Sequence, residues 1–300
     1  MKKLIGYLSS ELGIKDQILL EKDIILHKLL CMISDNGYLR ENLVFKGGTC
    51  LIKCYLGYFR FSEDLDFTWI KQEEFKKKSQ KEIRRLLSKK IIKIALILEG
   101  IAKGLNLDFK PVKSNKRYIE LGGSNKFSTF KLWYKSETLN TEQFIKIQIN
   151  FLELFLHSFK TCRAVSIVEG VKIKEFNFLF PEHSVLITKP SMECYDLKEI
   201  LTEKFRAILT RRGIKTRDFI DLFLITKKKR IAITRFRGEI LDKTKFMLRY
   251  DKYVQNLKGF NLGKFVLEEE KLMLIPLEDG FEKFLEEAHK LINSIAEELL

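Results

Sequence analysis

No stretch of this chain approaches the ~20 apolar residues that a membrane-spanning helix needs; the nearest, residues 91–98, is short and carries Lys93. A membrane-embedded helical protein is therefore not expected. The amino terminus, MKKLIGYLSSELGIKD, offers only a brief apolar stretch broken by Ser9, Ser10 and Glu11, and does not read as a secretory signal. Its five cysteines, at 31, 50, 54, 162 and 194, include no Cys-x-x-Cys pair and no four-ligand zinc spacing. Cys50 and Cys54, one helical turn apart, read as small buried side chains, and an odd cysteine count without a secretory start points to a reducing cytoplasm. The four histidines, at 27, 157, 183 and 289, are scattered and form no close ligand pair. No Lys-Ser or Lys-Thr pair closes a Walker phosphate loop.

What the chain has in quantity is positive charge. Lys and Arg outnumber Asp and Glu by 55 to 40, a formal charge of +15. A field of that sign draws in phosphate-bearing partners without saying which polyanion is meant, and a solvated lysine surface gives the same count. Hydrophobic residues at 45% and charged residues at 32% describe a folded soluble chain. At 300 residues two domains are the default expectation.

Apolar positions Ile18, Leu19, Leu26, Leu29, Leu30 and Ile33 recur at helical spacing, and Asn36-Gly37 ends that helix. A short strand over residues 43–45 leads into Gly47-Gly48-Thr49, after which residues 50–55 begin a second helix. Residues 62–70 alternate: Leu65, Phe67 and Trp69 point to one side, Asp64, Asp66 and Thr68 to the other. Residues 71–103 form a strongly basic helix with an apolar stripe and an outward cationic face, a candidate RNA surface or a solvated lysine face. Gly122-Gly123-Ser124-Asn125 reads as the turn between strands at 107–121 and 127–134. Residues 144–151 alternate again, with Phe144, Lys146, Gln148 and Asn150 on a side that could meet Asp64 and Asp66 across a sheet. Pro181 and Pro190 break a less legible region. Helices are expected at 197–210 and 216–226, with amphipathic stretches over 265–274 and on to 300. The plan is α+β, a strand-rich domain over 1–190 and a helical domain over 191–300.

Two carboxylates at i and i+2 on a strand share a face and can hold one hard cation, Mg²⁺ or Mn²⁺, whose remaining positions suit water and phosphate. Two such ions could hold the attacking and leaving oxygens in line. Without a cation, a purely structural acidic pair on this strand would repel itself. Gly47 and Gly48 permit a tight turn and close backbone approach to phosphate, with Thr49 offering a hydroxyl and the following helix its N–H groups. Arg60 could hold a phosphate or pair with an acid, and Ser62 could orient the loop. Downstream, Lys204 lies four residues from both Ile200 and Ile208 on an apolar helix face, which suits a phosphate contact or a salt bridge to Asp218 or Glu203. Asp218 and Asp221 are helix neighbours, with Arg211, Arg212, Lys215 and Arg217 forming a positive patch beside them.

The string FKGGTCLIKCYLGYFRFSEDLDF, Phe45 to Phe67, resembles the first motif of the AbiEii/AbiGii toxin family, minimal nucleotidyltransferases related in fold to DNA polymerase beta. EILTEKFRAILTRRGIKTRDFIDLF, Glu199 to Phe223, resembles the family segment in which a lysine helix precedes an Arg-Asp-x-x-Asp helix. The resemblance implies a polymerase-beta-like core, a small mixed sheet flanked by helices, followed by a mostly helical domain that completes the NTP site. It implies transfer of a nucleotide from an NTP, with tRNA 3′ ends as acceptors in some members, and a type IV toxin–antitoxin setting with a separately encoded antitoxin. By position, Gly47, Gly48 and Thr49 would cradle the triphosphate and Asp64 and Asp66 would bind Mg²⁺. Lys204 would contact NTP phosphates, and Asp218 and Asp221 would complete the essential site; apart from the resemblance, the patch that includes Arg211 suits phosphate or RNA contacts.

One departure stands out. Nucleotidyltransferases of this fold commonly carry a third strand carboxylate that takes or orients the acceptor proton, and the corresponding strand, IKIQINFLE, presents the amides Gln148 and Asn150. Glu153 is the nearest acid. Two other readings share the motifs: transfer to a protein acceptor, and a catalytically weakened RNA-binding protein of the same fold.

Overall fold

Alternation of apolar and polar residues along the strands decides which face of the sheet is core and which carries polar chemistry. The computed structural model describes residues 1–260, 272–276 and 279–300. Of the amphipathic stretch expected over 265–274, residues 265–271 lie outside the described residues.

Two units make up the chain, one of residues 1–153 and 159–194, the other of 154–158 and 195–300. In the first, α1 (Lys2–Leu12), α2 (Gln17–Asp35) and α3 (Gly37–Asn42) precede β1 (Leu43–Lys46), α4 (Gly47–Cys50) and a π-helical continuation, Leu51–Leu56. After β2 (Asp64–Trp69) comes α5 (Gln80–Gly104), then β3 (Ile119–Gly122), β4 (Phe127–Lys135), β5 (Glu142–Asn150), β6 (Lys160–Arg163), α6 (Ile173–Leu179) and β7 (Ser191–Cys194). Helix starts are capped: Asp16 accepts from Ile18 N and Leu19 N at 3.0 Å, and Ser79 with Glu82 forms a capping box on α5.

The sheet runs β3-β4-β5-β2-β1-β7-β6. Strands β2 and β5 pair in parallel, as do β1 and β7, while the other pairs are antiparallel, so the sheet is mixed. On one face of its centre, Leu43 opposes Trp69, Phe45 opposes Phe67, and Ile147 and Ile149 stand beside Leu65 and Phe67. All are buried, and each aromatic so placed stabilises the fold by about 1.5–3 kcal/mol relative to exposure. Lys90 Nζ of α5 lies 4.0 Å from the Trp69 ring centre and 2.5 Å from Glu74, and Lys93 Nζ lies 3.8 Å from the Tyr38 ring centre. Part of the cationic face expected on α5 is therefore engaged with aromatic rings, leaving Lys81, Arg84, Arg85 and Lys89 exposed.

The expected strand over 107–121 reduces to β3 and one isolated bridge, Asp108 with Trp133, because turns occupy residues 113–118. The turn after β3 is as expected, with Gly123, Ser124 and Asn125 all at positive φ. Behind the sheet, Lys53 Nζ meets Asp23 Oδ1 at 2.8 Å and also contacts the Tyr58 hydroxyl, which donates to Asp23 Oδ2 at 2.8 Å. His27 adjoins this group, and burial and then the Lys53 charge push its imidazole down to about 4.

The second unit is helical: α7 (Leu197–Thr210), α8 (Thr216–Lys229), α9 (Arg237–Met247), α10 (Asp251–Lys258) and α11 (Phe281–Leu299). Helices α7 and α9 are joined by a wholly buried ion pair, Glu199 with Lys243 at 2.6 Å. Glu199 Oε2 also accepts from the backbone N–H groups of Leu156 and His157 at 3.0 and 2.9 Å, which binds the detour 154–158 to this unit. Phe223 packs edge-on against Phe281 and at a tilt against Phe284, tying α8 to α11. Among the described residues, no helix is long and apolar enough to cross a membrane.

Candidate active site

Lys46 ends β1 and Gly47 turns the chain at φ +76°, a left-handed conformation that glycine adopts without a Cβ penalty. Space imposes the same choice. A Cβ on Gly47 would sit 2.9 Å from Asp66 Cβ and closer still to its carboxylate, and one on Gly48 would sit 2.6 Å from Arg60 Nη2 and 3.2 Å from Ser62 Oγ. The bare backbone of the turn is thus pressed against Asp66 on one side and against Arg60 and Ser62 on the other.

Thr49 and Arg60 serve the turn from beneath. Thr49 is buried, its Oγ1 2.5 Å from the Asp64 carbonyl and 2.8 Å from Ser62 Oγ. The hydroxyl latches the turn to the first residue of β2, its single proton directed at a buried carbonyl. Arg60 is 2% exposed and donates from Nη1 to Phe61 O at 2.7 Å, which sets a guanidinium behind Gly48. Gly47, Gly48, Thr49, Arg60, Ser62, Asp64 and Asp66 are therefore brought together within the first unit.

Strand register supplies neighbours that motif spacing does not. Asp66 stands between Lys46 of β1 and Gln148 of β5, and Asp64 beside Lys146 of β5. Register partners lie about 5 Å apart, so each aspartate has a lysine on its own face. Lys46 and Lys146 thus share the strand face of the acidic pair. The pair still fits a hard cation. Both carboxylates are half-buried on one face, and the Gly47 backbone approaches Asp66 so closely that only a hydrogen fits between them. Glu153, the acid sought beyond β5, is buried; its Oε2 accepts from Asn150 Nδ2 at 3.0 Å and lies 3.9 Å from Lys46 Nζ. Among the described residues it does not join the two aspartates in a ligand set; the group of three such ligand atoms within 4.8 Å of one another is Cys50, Cys54 and Cys194.

The second unit carries its own charged cluster. Lys204 Nζ lies 2.8 Å from Asp218 Oδ1 and also contacts Asp221 Oδ2, and Arg211 Nη1 lies 2.5 Å from Asp218 Oδ2. The salt bridge weighed for Lys204 is formed, with both aspartates rather than one. Asp218 and Asp221 are buried. Burial by itself pushes the Asp218 carboxyl up, but the charges of Lys204 and Arg211, the Lys204 hydrogen bond and the nearby Arg217 charge outweigh it and hold the group well below the ordinary carboxylate range.

A family model described as nucleotidyl transferase AbiEii toxin, type IV TA system, matches residues 28–290. No curated protein matches the sequence. Among solved structures, MenT4, a nucleotidyltransferase toxin of Mycobacterium tuberculosis H37Rv, superimposes with a TM-score of 0.57 at 16% identity, covering 96% of this chain and 89% of that one. JHP933 of Helicobacter pylori gives a TM-score of 0.43 at 15% identity, covering 94% and 93%. The likeness to MenT4 is one of fold. The family match spans most of the sequence and includes both motifs described above: the chain belongs to the AbiEii family of nucleotidyl transferase toxins of type IV toxin–antitoxin systems.

Proposed function

We propose that the protein is a divalent-metal-dependent enzyme that moves a nucleoside monophosphate from an NTP to an RNA acceptor, a tRNA 3′ end being the acceptor class to test first. The observation that carries this reading is the bare Gly47-Gly48 turn pressed against Asp66, with Asp64 on the same strand face. Asp64 and Asp66 would hold Mg²⁺ or Mn²⁺, which when bound offsets negative charge on the phosphates and polarises the reacting oxygens.

The acceptor hydroxyl oxygen forms a bond to the α-phosphorus and gives up its proton to solvent, the bond from that phosphorus to the bridging oxygen breaks, and pyrophosphate leaves. The two glycines let Asp66 and Arg60 close directly on the turn, so a carboxylate and a guanidinium stand against the backbone that would meet the phosphates. Arg60 behind Gly48, and Lys46 and Lys146 beside the aspartates, keep the surroundings positive. Gln148 and Asn150 are amides and take no proton, so positioning and charge carry the acceleration, as phosphoryl chemistry allows. In the second unit we assign Lys204 and Arg211 to phosphate oxygens, with Asp218 and Asp221 fixing the Lys204 ammonium. The +15 charge and the exposed basic residues of α5 suit an RNA backbone. A cytoplasmic setting supplies the NTP, and the family's type IV context supplies an antitoxin partner.

The test is incubation of the chain with each of the four α-labelled NTPs, Mg²⁺ and total RNA. An RNA species labelled by wild type and not by a folded Asp64→Ala/Asp66→Ala variant is the expected result. Label in a protein would move the acceptor to a different class of molecule. No label in RNA or protein with any NTP would overturn the enzymatic reading.

A further inference from the structure

Four of the five cysteines come from three separate stretches of sequence and meet in the first unit. Cys50 is the last residue of α4, and Cys54 follows one turn later in the π-helical segment. Cys194 closes β7. In the antiparallel pairing of β6 with β7, Cys194 opposes Lys160 and Cys162 opposes Met192, so Cys162 and Cys194 are diagonal neighbours on one face. Sulfurs of Cys50, Cys54 and Cys194 all lie within 4.8 Å of one another, and Cys54 Sγ is 3.8 Å from Cys194 Sγ. Cys162 stands beside that group of three, its thiol donating to the Tyr55 hydroxyl at 3.2 Å.

We propose that Cys50, Cys54 and Cys194 bind a thiophilic d¹⁰ cation, Zn²⁺ in the cell, with the adjoining Cys162 thiol closing on the ion as the fourth ligand. A Zn–S bond of about 2.3 Å sets the edge of a ZnS₄ tetrahedron at about 3.8 Å, the separation found between Cys54 and Cys194. A disulfide would need those sulfurs to close to about 2.05 Å. Thiolate sulfur without carboxylate or imidazole selects zinc over magnesium, so this site does not compete with Asp64 and Asp66 for their ion. Binding releases the thiol protons to solvent. Entry is from the side of Cys54 and Cys162, which are half-buried, whereas Cys50 and Cys194 are closed off.

Position gives the site a purpose. Cys50 directly follows Thr49 and ends α4, so the metal pins the far end of that single helical turn, and through it the Gly47-Gly48 turn, to β7 and β6. The inference does not rest on the nucleotidyl-transfer reading, because its readout is metal content.

The reduced full-length protein is titrated with Co²⁺. The expected result is a thiolate-to-cobalt charge-transfer band with tetrahedral d–d absorption that saturates at one equivalent and is displaced by Zn²⁺, and zinc in the protein as isolated by elemental mass spectrometry. Cys54→Ser/Cys162→Ser, with its fold checked by circular dichroism, should lose the band. Cys31→Ser, whose thiol instead faces Val185 O, should keep it. Three results overturn the proposal: no band in reduced wild type, a band retained by the double variant, or a metal-free protein whose intact mass shows a disulfide.

Discussion

Replacing Gly47 by alanine adds one methyl group where β1 turns into α4, and the structure assigns it two separable penalties. The first is backbone strain at φ +76°, about 1–2 kcal/mol for a residue with a Cβ. The second is steric: the new Cβ would stand 2.9 Å from Asp66 Cβ where ordinary contact begins at 3.4 Å. Relief requires the turn or β2 to yield by at least half an ångström, the difference of those two distances, and the side chain displaced is a proposed metal-binding carboxylate. A misplacement of about 1 Å at reacting groups can cost about 100-fold, so Gly47→Ala is expected to slow transfer by roughly 10- to 100-fold, about 1.4–2.7 kcal/mol of barrier. Gly13→Ala separates the two terms. Gly13 sits at φ +65° with nothing within 4 Å of its would-be Cβ, so alanine there carries the strain alone. Urea unfolding and single-turnover label transfer are measured on both. Both variants should lose about 1–2 kcal/mol of stability from strain, Gly47→Ala losing somewhat more, while Gly13→Ala keeps wild-type transfer. Transfer by Gly47→Ala within twofold of wild type, or an equal loss in Gly13→Ala, would refute the reasoning.

His27 makes stability pH-dependent. Its folded-state value near 4 lies below the ordinary ~6.5, so as pH falls the unfolded chain takes up the proton first; the stability is fully present above ~6.5 and is lost toward 4, about 3 kcal/mol in all. Urea midpoints across that window should flatten in His27→Gln, and an unchanged slope would remove His27 as the cause. Lys243→Met leaves Glu199 buried without its cation and should cost about 3–5 kcal/mol, whereas Glu199→Gln/Lys243→Met should recover much of it. A loss under about 1 kcal/mol in the single variant would show that the pair is not structurally important.

Legibility in the sequence followed the length of each pattern. Strand β2 could be read because Leu65, Phe67 and Trp69 alternate with polar residues against a one-sided core, and α7 because its apolar positions, Ile200 and Ile208 among them, recur on one face over 14 residues. Strands β6 and β7 were not anticipated: Lys-Thr-Cys-Arg and Ser-Met-Glu-Cys are too short to establish a period. At the candidate site, the chemistry-bearing residues of the first unit were visible as motifs, since glycine pairs and Asp-x-Asp carry their own signature. Their lysine neighbours were not, because register is a property of paired strands and a one-residue slip would turn Lys46 and Lys146 to the other face. The inward role of Thr49 was hidden for a related reason: its acceptor is a backbone carbonyl, which every residue possesses. Cysteine spacing was equally uninformative, with Cys54 and Cys194 separated by 140 residues.

The detour at residues 154–158 gives the chain an unusual order of assembly. During synthesis this segment emerges 42 and 43 residues before Glu199, the acceptor that its His157 and Leu156 N–H groups require. The sheet cannot be completed until β7 follows, by which time the opening piece of the second unit is already flanked on both sides by the first. The chain passes between units at 153/154, 158/159 and 194/195, so no single cut yields two whole parts. A fragment ending at 194 retains 154–158 with two stranded N–H donors, and a fragment beginning at 195 leaves the Glu199 carboxylate short of both. For anyone dissecting the protein, a circular permutant or a five-residue linker replacing 154–158 is a more faithful way to divide it than truncation.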